Sequence, residues 1–211
     1  MKKKFPESIE INDSSLVLSH QMHQNNVPLK GLRAKASFLQ NLIAQNVHYY
    51  PAKEMIVSGQ SIPELVAQVQ YDEALWKIGS KATYFAYEKE SGDCVGMVII
   101  RPINDKQVEI MQVCAVEKNC TAEVLRLTEK LLMQNNMSSN LIVKVNPLDN
   151  IRISMLRQMG YVSNPSLQGL SGSTQMIFEK KSLPILIQSA QKHPSMNLGK
   201  EMDLNPYMRT A

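Results

Sequence analysis

Histidine and cysteine are the side chains in this sequence whose spacing could form a metal site or a nucleophile. His20 and His23 stand three residues apart, but no carboxylate or cysteine stands beside them to complete a metal site, so surface histidines are the favoured interpretation. Cys94, Cys114 and Cys120 have no metal-ligand spacing, and an odd number of cysteines argues against a disulfide framework. We therefore expect reduced thiols and no bound metal.

Cys120 is the thiol that a predicted helix could activate. It lies just before a helix that the apolar spacing predicts over about 121–135, and a helix N-terminus lowers the pKa of a nearby thiol. Nucleophilic chemistry at Cys120 is therefore an alternative, but no histidine is close in sequence to act as its base. A plain buried or surface thiol is the favoured interpretation.

The stretch Leu141–Tyr161 predicts a strand, a turn and a helix in that order. Its first residues are aliphatic or β-branched apart from Lys144, and the Asn-Pro pair that follows ends the strand because proline lacks a backbone N–H. Asp149 or Asn150 can cap a helix whose apolar residues recur at helical spacing. Gly160 ends that helix, and the chain then becomes extended again.

This stretch resembles the pattern V-N-P-x-N … Y-x-x-x-G-F/Y of the GNAT N-acetyltransferase family. Val145–Asp149, Leu156 and Met159–Tyr161 match its spacing without a gap, although Asp149 replaces the asparagine and Leu156 replaces the tyrosine that often acts as general acid. The resemblance implies an α/β (α+β) fold with a GNAT-like mixed, mainly antiparallel central sheet flanked by helices. It also implies an acyl-CoA-dependent N-acyltransferase that moves an acetyl group from acetyl-CoA to an amine of a small molecule or protein.

Three strand-like runs precede this stretch. The runs 82–86 and 94–100 flank a polar loop and predict a hairpin, and the run 108–116 predicts the central strand. Uninterrupted alternation along that strand would place one set of residues on one face and a second set on the other. The first set is Ile110, Gln112, Cys114 and Val116, and the second is Glu109, Met111, Val113 and Ala115.

In the GNAT family the central strand separates from the next strand, and the pantetheine arm of the coenzyme enters the gap. An unpaired strand edge offers hydrogen-bonding groups to a peptide-like ligand. The resemblance implies that the backbone of Val113, Cys114, Ala115 and Val116 binds this arm. Glu109 is the implied general base, and Gln112 could position a water on the other face. Because Glu109 is one residue out of phase with the family's spacing, a β-bulge would be needed to turn it to the same face.

The family binds the coenzyme pyrophosphate at the N-terminus of the following helix, where backbone N–H groups favour an anion. The resemblance implies coenzyme contacts at Lys118, Thr121 and Ala122, with Asn146 and Asp149 on the neighbouring turn. The family's Arg/Gln-x-x-Gly-x-Gly/Ala loop is absent, because the segment before the helix has no glycine and is about four residues shorter. We therefore expect weaker, altered or absent coenzyme binding, and a catalytically inactive GNAT-fold binding protein is the alternative.

Composition restricts the remaining possibilities. The chain of 211 residues is 44% hydrophobic and 20% charged, which is typical of one globular domain. Its net charge of +4 includes no dense basic run beyond Lys2–Lys4, so neither a nucleic acid nor a membrane is an expected partner. No signal sequence or long apolar run occurs, and we expect a soluble cytoplasmic protein. Export by a route without a cleaved signal stays open.

The pattern of elements divides the chain into three parts. Residues 1–50 form an N-terminal extension with a helix at Leu32–Val47, residues 51–181 form the GNAT-like core, and residues 182–211 form a C-terminal helix and tail. Residues 1–27 are polar and predict a loosely held extension, with one short element at 16–18. Both extensions are candidate contacts for a protein partner. Ser61 with Glu64 predicts a helix start, and Trp76 near its end is interpreted as a core anchor.

Overall fold

The computed structural model describes residues 5–10, 14–45, 60–115, 118–134, 137–166 and 175–181. The helix and tail predicted over 182–211, the last residues of the helix predicted from Leu32, and both domain borders lie outside the described residues. The three-part division of the chain therefore stays a prediction. No described helix is long and apolar enough to cross a membrane.

The described residues form four helices, α1 (Leu32–Gln45), α2 (Ile62–Lys77), α3 (Lys118–Gln134) and α4 (Asn150–Gln158). The strands are β1 (Ser8–Glu10), β2 (Leu16–Ser19), β3 (His23–Gln24), β4 (Val27–Pro28), β5 (Ala82–Glu88), β6 (Cys94–Pro102), β7 (Gln107–Ala115), β8 (Asn140–Val145), β9 (Val162–Ser163) and β10 (Met176–Lys181). Eight strands form one sheet in the order β1-β2-β5-β6-β7-β8-β10-β9, and β3 pairs with β4 in a separate hairpin. Within the large sheet β7 and β8 are parallel and the other pairs are antiparallel. The predicted mixed, mainly antiparallel sheet is confirmed.

Two apolar layers cover the sheet, because successive residues of each strand point to opposite faces. On one face, which we call the α3 face, helices α3 and α4 pack on the larger core. On the other, the α1–α2 face, helices α1 and α2 pack on a second core. Neighbouring strand residues divide accordingly: Val98 and Ile100 belong to the first core, and Met97 and Ile99 to the second.

The N-terminal segment differs from the loosely held extension that its polar composition predicted. Strand β2 pairs with β5 along its whole length, and β1 pairs with β2. Phe5, Leu16 and Leu18 are buried in the core of the α3 face. A few apolar residues spaced to face the sheet are enough to hold a segment that is otherwise polar.

Local signals fix the ends of two helices as predicted. At the start of α2, the Glu64 carboxylate accepts hydrogen bonds from the Ser61 backbone N–H at 2.7 Å and from its hydroxyl at 2.8 Å. At the start of α4, the Asp149 side chain accepts from the Arg152 backbone N–H at 3.0 Å, which selects Asp149 over Asn150 as the cap. Gly160 follows α4 with φ +85°, a conformation that favours glycine.

Candidate functional site

Strands β7 and β8 are paired only at their first residues. Their parallel register joins Gln107–Ile110 to Asn140–Val143. Beyond Ile110, β7 continues to Ala115 and pairs with β6 alone among the described strands. The edge of β7 over residues 111–115 therefore faces a gap in the sheet, where backbone groups are available to a ligand.

A β-bulge lies where the two strands separate. Ile99 of β6 is opposite Gln112, and the next residue, Ile100, is opposite Ile110, so Met111 is an extra residue in β7. The predicted uninterrupted alternation is wrong for this reason. Ile110 before the bulge and Val113 and Ala115 after it all belong to the core of the α3 face.

Helix α3 begins at Lys118, three residues before the predicted start. Because β7 ends at Ala115, only residues 116 and 117 connect strand and helix, and they lie outside the described residues. The first backbone N–H groups of a helix have no partner within it, so they form a short row of donors at this end. Glu123, whose charge would oppose an anion here, accepts a hydrogen bond from Ser14 Oγ at 2.7 Å.

The sequence-predicted coenzyme contacts fall at three places in the fold. Val113, Cys114 and Ala115 lie on the open part of β7, whereas Val116 is outside the described residues. Lys118, Thr121 and Ala122 lie in the first turns of α3. The other two, Asn146 and Asp149, lie in the turn between β8 and α4.

Both turn residues already serve the local backbone. Asn146 Oδ1 accepts from the Leu148 N–H at 2.9 Å. Asp149 caps α4 and also lies 3.6 Å from the Arg152 guanidinium. Their side-chain oxygens hold the turn in place, so any coenzyme contact from this turn would come from its remaining polar groups.

Glu109, the predicted general base, is a buried carboxylate between two cations. It lies on the α1–α2 face, where the Arg101 Nη2 on β6 is 2.5 Å and the Lys144 Nζ on β8 is 3.0 Å from its two oxygens. The residue is 4% exposed. Glu109 therefore ties β6, β7 and β8 together just before the gap opens. Gln112, the alternative catalytic candidate, follows the bulge and pairs with Ile99 through its backbone.

A cavity of about 580 Å³ lies between the sheet and helices α1 and α2. We call it the α1–α2 cavity. Its apolar wall comprises side chains of both helices and of two central strands: Leu39, Ile43, Val69, Phe85, Met97 and Ile99. Met111, the bulge residue, also lines it. The bulge thus borders both the gap between β7 and β8 and this cavity.

The polar end of the α1–α2 cavity is formed by His20 and Trp76. Their rings are stacked, with centroids 4.1 Å apart and planes 9° apart. His20 Nδ1 lies 2.9 Å from the Thr83 backbone oxygen, and Tyr84 contacts the imidazole edge. Burial lowers the pKa of His20, an effect that the hydrogen bond to Thr83 and the nearby Glu73 carboxylate partly oppose.

Sequence reasoning missed this pair. His20 was interpreted as a surface histidine, whereas it is half-buried and lines the cavity; Trp76 packs against the core, as predicted, and lines the cavity as well. The available signal was the apolar run before His20, which places the histidine at the end of a buried strand. His23 lies in the β3–β4 hairpin and faces a different pocket. Among the described residues, no group of three or more histidine, cysteine, aspartate or glutamate side chains could hold a metal ion.

The position of the family's tyrosine acid is apolar in this chain. Leu156 on α4 is fully buried in the core of the α3 face. Tyr161 lies nearby in sequence, but its hydroxyl is buried beside the Glu129 carboxylate. Burial, and then the negative charge of Glu129, raise the pKa of Tyr161 above its usual range. Glu129 itself is paired with Lys180 at 2.7 Å.

No protein-family model and no curated protein matches the sequence. Solved structures match by fold. The microcin C7 self immunity acetyltransferase MccE, in complex with acetyl-CoA and AMP, is 14% identical with a TM-score of 0.63, and the match covers 85% of this chain and 99% of that one.

Two further structures match at comparable levels. The ribosomal L7/L12 alpha-N-protein acetyltransferase RimL, in complex with coenzyme A, is 12% identical with a TM-score of 0.61, over 83% of this chain and 98% of that one. FdhC, a nucleotide-linked sugar GNAT, is 10% identical with a TM-score of 0.57, over 79% and 86%. At these identities the likeness establishes the fold, and the sequence-based prediction of the GNAT fold is confirmed.

Proposed function

We propose that this chain, which has the GNAT fold, is an acyl-CoA-dependent N-acyltransferase that transfers an acetyl group to an amine of a small molecule or protein. The observation that carries the proposal is the separation of β7 from β8 after Ile110, with the bulge at Met111. It leaves one strand edge open in the middle of a sheet. Such an edge suits a ligand whose amides can pair with it like a strand.

The residues around this edge fit the pantetheine part of the coenzyme. Backbone groups of residues 111–115 would hold the arm, and a backbone N–H beside the bulge would donate to the oxyanion that forms on the thioester carbonyl. Bound acyl-CoA would supply the activated acyl group. The protein's own part is to position that carbonyl beside the bulge, which the α1–α2 cavity reaches from the other side of the sheet.

The residues fit the phosphate part of the coenzyme less well. The sequence before α3 lacks the longer glycine-rich loop that offers a row of amides to phosphates. The first N–H groups of α3 remain as anion partners. We therefore expect the arm, rather than the phosphates, to supply most of the affinity.

The first test is thermal unfolding with acetyl-CoA. A ligand at about 100 times its dissociation constant adds about 2.7 kcal/mol to the free energy of unfolding, which raises the Tm by several degrees. Lys118→Glu, at the start of α3, should reduce this shift because it places a negative charge where the phosphates would bind. Lys130→Glu, an exposed change farther along the same helix, should leave it unchanged.

A catalytically inactive binding protein is the second candidate. Leu156 cannot donate a proton, and the short connection before α3 weakens the phosphate site. Both features are compatible with a GNAT fold that no longer turns over substrate. No shift of the Tm at millimolar acetyl-CoA, or a shift with no transfer to any amine, would favour this candidate over the enzyme.

A further inference from the structure

The α1–α2 cavity has an apolar wall and a polar end. The wall runs along the sheet, from Phe85 on β5 to the bulge residue Met111 on β7. The polar end carries the His20–Trp76 stack, and His20 follows directly after β2. In the strand order β2-β5-β6-β7, three spacings of about 4.8 Å separate β2 from β7. The polar end therefore lies roughly 14 Å across the sheet from the bulge, and it is distinct from the place where acyl transfer would occur.

Two buried polar atoms at the polar end lack partners. Trp76 Nε1 and Thr83 Oγ1 have no hydrogen bond to the described residues, and both residues line the cavity. An indole N–H can only donate, so its partner must be an acceptor. Because buried polar groups in native proteins are nearly always paired, an unpaired donor beside a cavity indicates a ligand or a water that accepts a hydrogen bond.

The charged residues of the lining add a surplus positive charge. Lys35 is paired with Glu73, and Lys81 Nζ lies 2.7 Å from Asp72 Oδ1. Lys77 is a third lysine of the lining and has no ion pair with the described residues. Three lysines against two carboxylates leave one positive charge unbalanced. A surplus cation beside unpaired donors favours a ligand with one negative charge.

The last turn of α2, which includes Lys77, opposes an anion only weakly. Three of its carbonyl oxygens already accept hydrogen bonds from the N–H groups of Ile78, Gly79 and Ser80. The C-terminus of a helix is equivalent to about half a negative charge, which is less than the full positive charge of Lys77. The balance at this end of the cavity is therefore positive.

His20 can become a further donor. Its Nδ1 lies 2.9 Å from the Thr83 backbone oxygen, which can only accept, so Nδ1 carries a proton. No hydrogen bond from the described residues reaches Nε2. Burial lowers the pKa of His20, and Lys35 acts in the same direction, whereas the Thr83 carbonyl, Glu73 and Glu7 raise it. The net direction is downward, so the empty site holds a neutral ring, and a bound anion would favour the charged ring, whose Nε2–H donates.

We propose that the α1–α2 cavity binds a monocarboxylate with an unbranched apolar chain. The carboxylate lies at the polar end, among Lys77, Trp76 and protonated His20. The chain runs along the apolar wall toward Met111. Because the ligand has no amine, it is not an acyl acceptor. The site therefore goes beyond the proposed function and does not depend on it.

Binding can be measured without coenzyme, because Trp76 is the only tryptophan and lines the cavity. Its fluorescence should change saturably with octanoate. Along the series hexanoate, octanoate and decanoate, each added methylene should tighten binding about fourfold. n-Octylammonium, which has the same chain length and the opposite charge, should bind at least about tenfold more weakly than octanoate, because it meets the surplus lysine.

The charge is tested by Lys77→Glu, with Lys130→Glu on α3 as the control of equal charge change. Lys130 is exposed and does not line the cavity. Lys77→Glu should raise the dissociation constant of octanoate at least about tenfold and leave that of 1-octanol within about threefold. The retained binding of 1-octanol shows that the variant is folded. Lys130→Glu should leave both dissociation constants within about threefold.

The role of His20 gives the binding a pH dependence. Because the bound carboxylate favours the charged ring, octanoate should bind more tightly as the pH falls from about 8 to about 6, by up to about tenfold per pH unit. The other charged residues of the lining are Lys35, Asp72, Glu73, Lys77 and Lys81. His20→Gln leaves all of them in place and should remove the dependence. His23→Gln, in the β3–β4 hairpin and outside the cavity lining, should keep it.

Three outcomes would overturn the proposal. Trp76 fluorescence could show no saturable response to octanoate, n-octylammonium could bind as tightly as octanoate, or Lys77→Glu could leave octanoate binding within threefold. If His20→Gln retains the pH dependence, His20 is not the donor. None of these measurements uses acetyl-CoA, so their failure leaves the proposed function standing. In the same way, the absence of a Tm shift with acetyl-CoA would overturn the acyltransferase and leave the carboxylate site in place.

Discussion

Replacing Glu109 with glutamine distinguishes a positioning role from a catalytic one. The change keeps the shape of the side chain and removes its charge between Arg101 and Lys144. The cavity lining contains His20 but not Glu109, and both Glu109 oxygens are already held by cations. We therefore expect Glu109→Gln mainly to weaken the ion pairs that hold β6, β7 and β8 together, and so to lower the stability of the fold.

The magnitude follows from burial and pairing. A hydrogen bond to a charged group contributes about 1.5–3 kcal/mol, and Glu109 makes two such contacts. The partners recover hydration when released, since the Arg101 and Lys144 side chains are 48% and 31% exposed. Because the glutamine oxygen still accepts one bond, we expect a net loss of about 2 kcal/mol, or a Tm lower by about 4–8 °C.

The assay pairs thermal unfolding with steady-state kinetics, and Glu129→Gln is the control. Glu129 is also buried and paired with one lysine, but it lies on α3, on the other face of the sheet. We expect Glu109→Gln to lower kcat by less than about tenfold, whereas loss of a general base costs about 100-fold or more. A fall of that size with an unchanged Tm would refute the positioning role and restore the sequence-based hypothesis that Glu109 is the base.

Four further predictions concern the fold and the coenzyme. Gly92→Ala should lower the free energy of unfolding, measured in urea, by about 2 kcal/mol, because Gly92 has φ +75° and a Cβ there would lie 2.3 Å from Asn26 Oδ1. In an Asn26→Gly background the same change should cost less, because the clash with the Asn26 side chain is removed. At neutral pH, Tyr84→Phe should cost about 1 kcal/mol because its hydroxyl donates to the Pro6 oxygen at 2.8 Å, whereas Tyr161→Phe should cost less. Burial raises the pKa of both tyrosines, so above a pH of about 10 the tyrosines of the unfolded chain ionise first and the free energy of unfolding should fall. Tyr161→Phe should make this fall less steep. An equal slope of unfolding free energy against pH in the parent and in Tyr161→Phe would contradict this. Finally, calorimetry should give dissociation constants for pantetheine and coenzyme A that differ by less than about tenfold, if the short connection before α3 contributes little phosphate binding. If coenzyme A bound much more tightly than pantetheine, the phosphates would have a site elsewhere.

What could be predicted from the sequence was local. The Asp149 cap and the Gly160 stop of α4 depend on residues within one helix, and both are as predicted. The hairpin of β5 and β6 depends on two apolar runs joined by a polar loop, and it too is confirmed. These features need no information from distant parts of the chain.

The missed features all depend on contacts between distant residues. The bulge at Met111 is established by the pairing of β7 with β6, and in the sequence it leaves only a break in the alternation, since Gln112 stands where an apolar residue would follow Ile110. His20 contacts Trp76, which is 56 positions later in the chain, and Thr83, which is 63 positions later. Periodicity within a window cannot predict such a pair.

The bulge explains how one strand can serve both proposed substrates. Before Met111, β7 is held on both sides, by β6 and by β8, and Glu109 bridges the two neighbours. The extra residue bends the strand away from β8 and so opens the edge on which the pantetheine arm would lie. It also returns Val113 and Ala115 to the α3 face while Met111 lines the α1–α2 cavity. The acyl donor and the acyl acceptor could therefore approach Met111 from opposite faces of the sheet. Backbone groups, rather than an acidic side chain, would position the thioester carbonyl there.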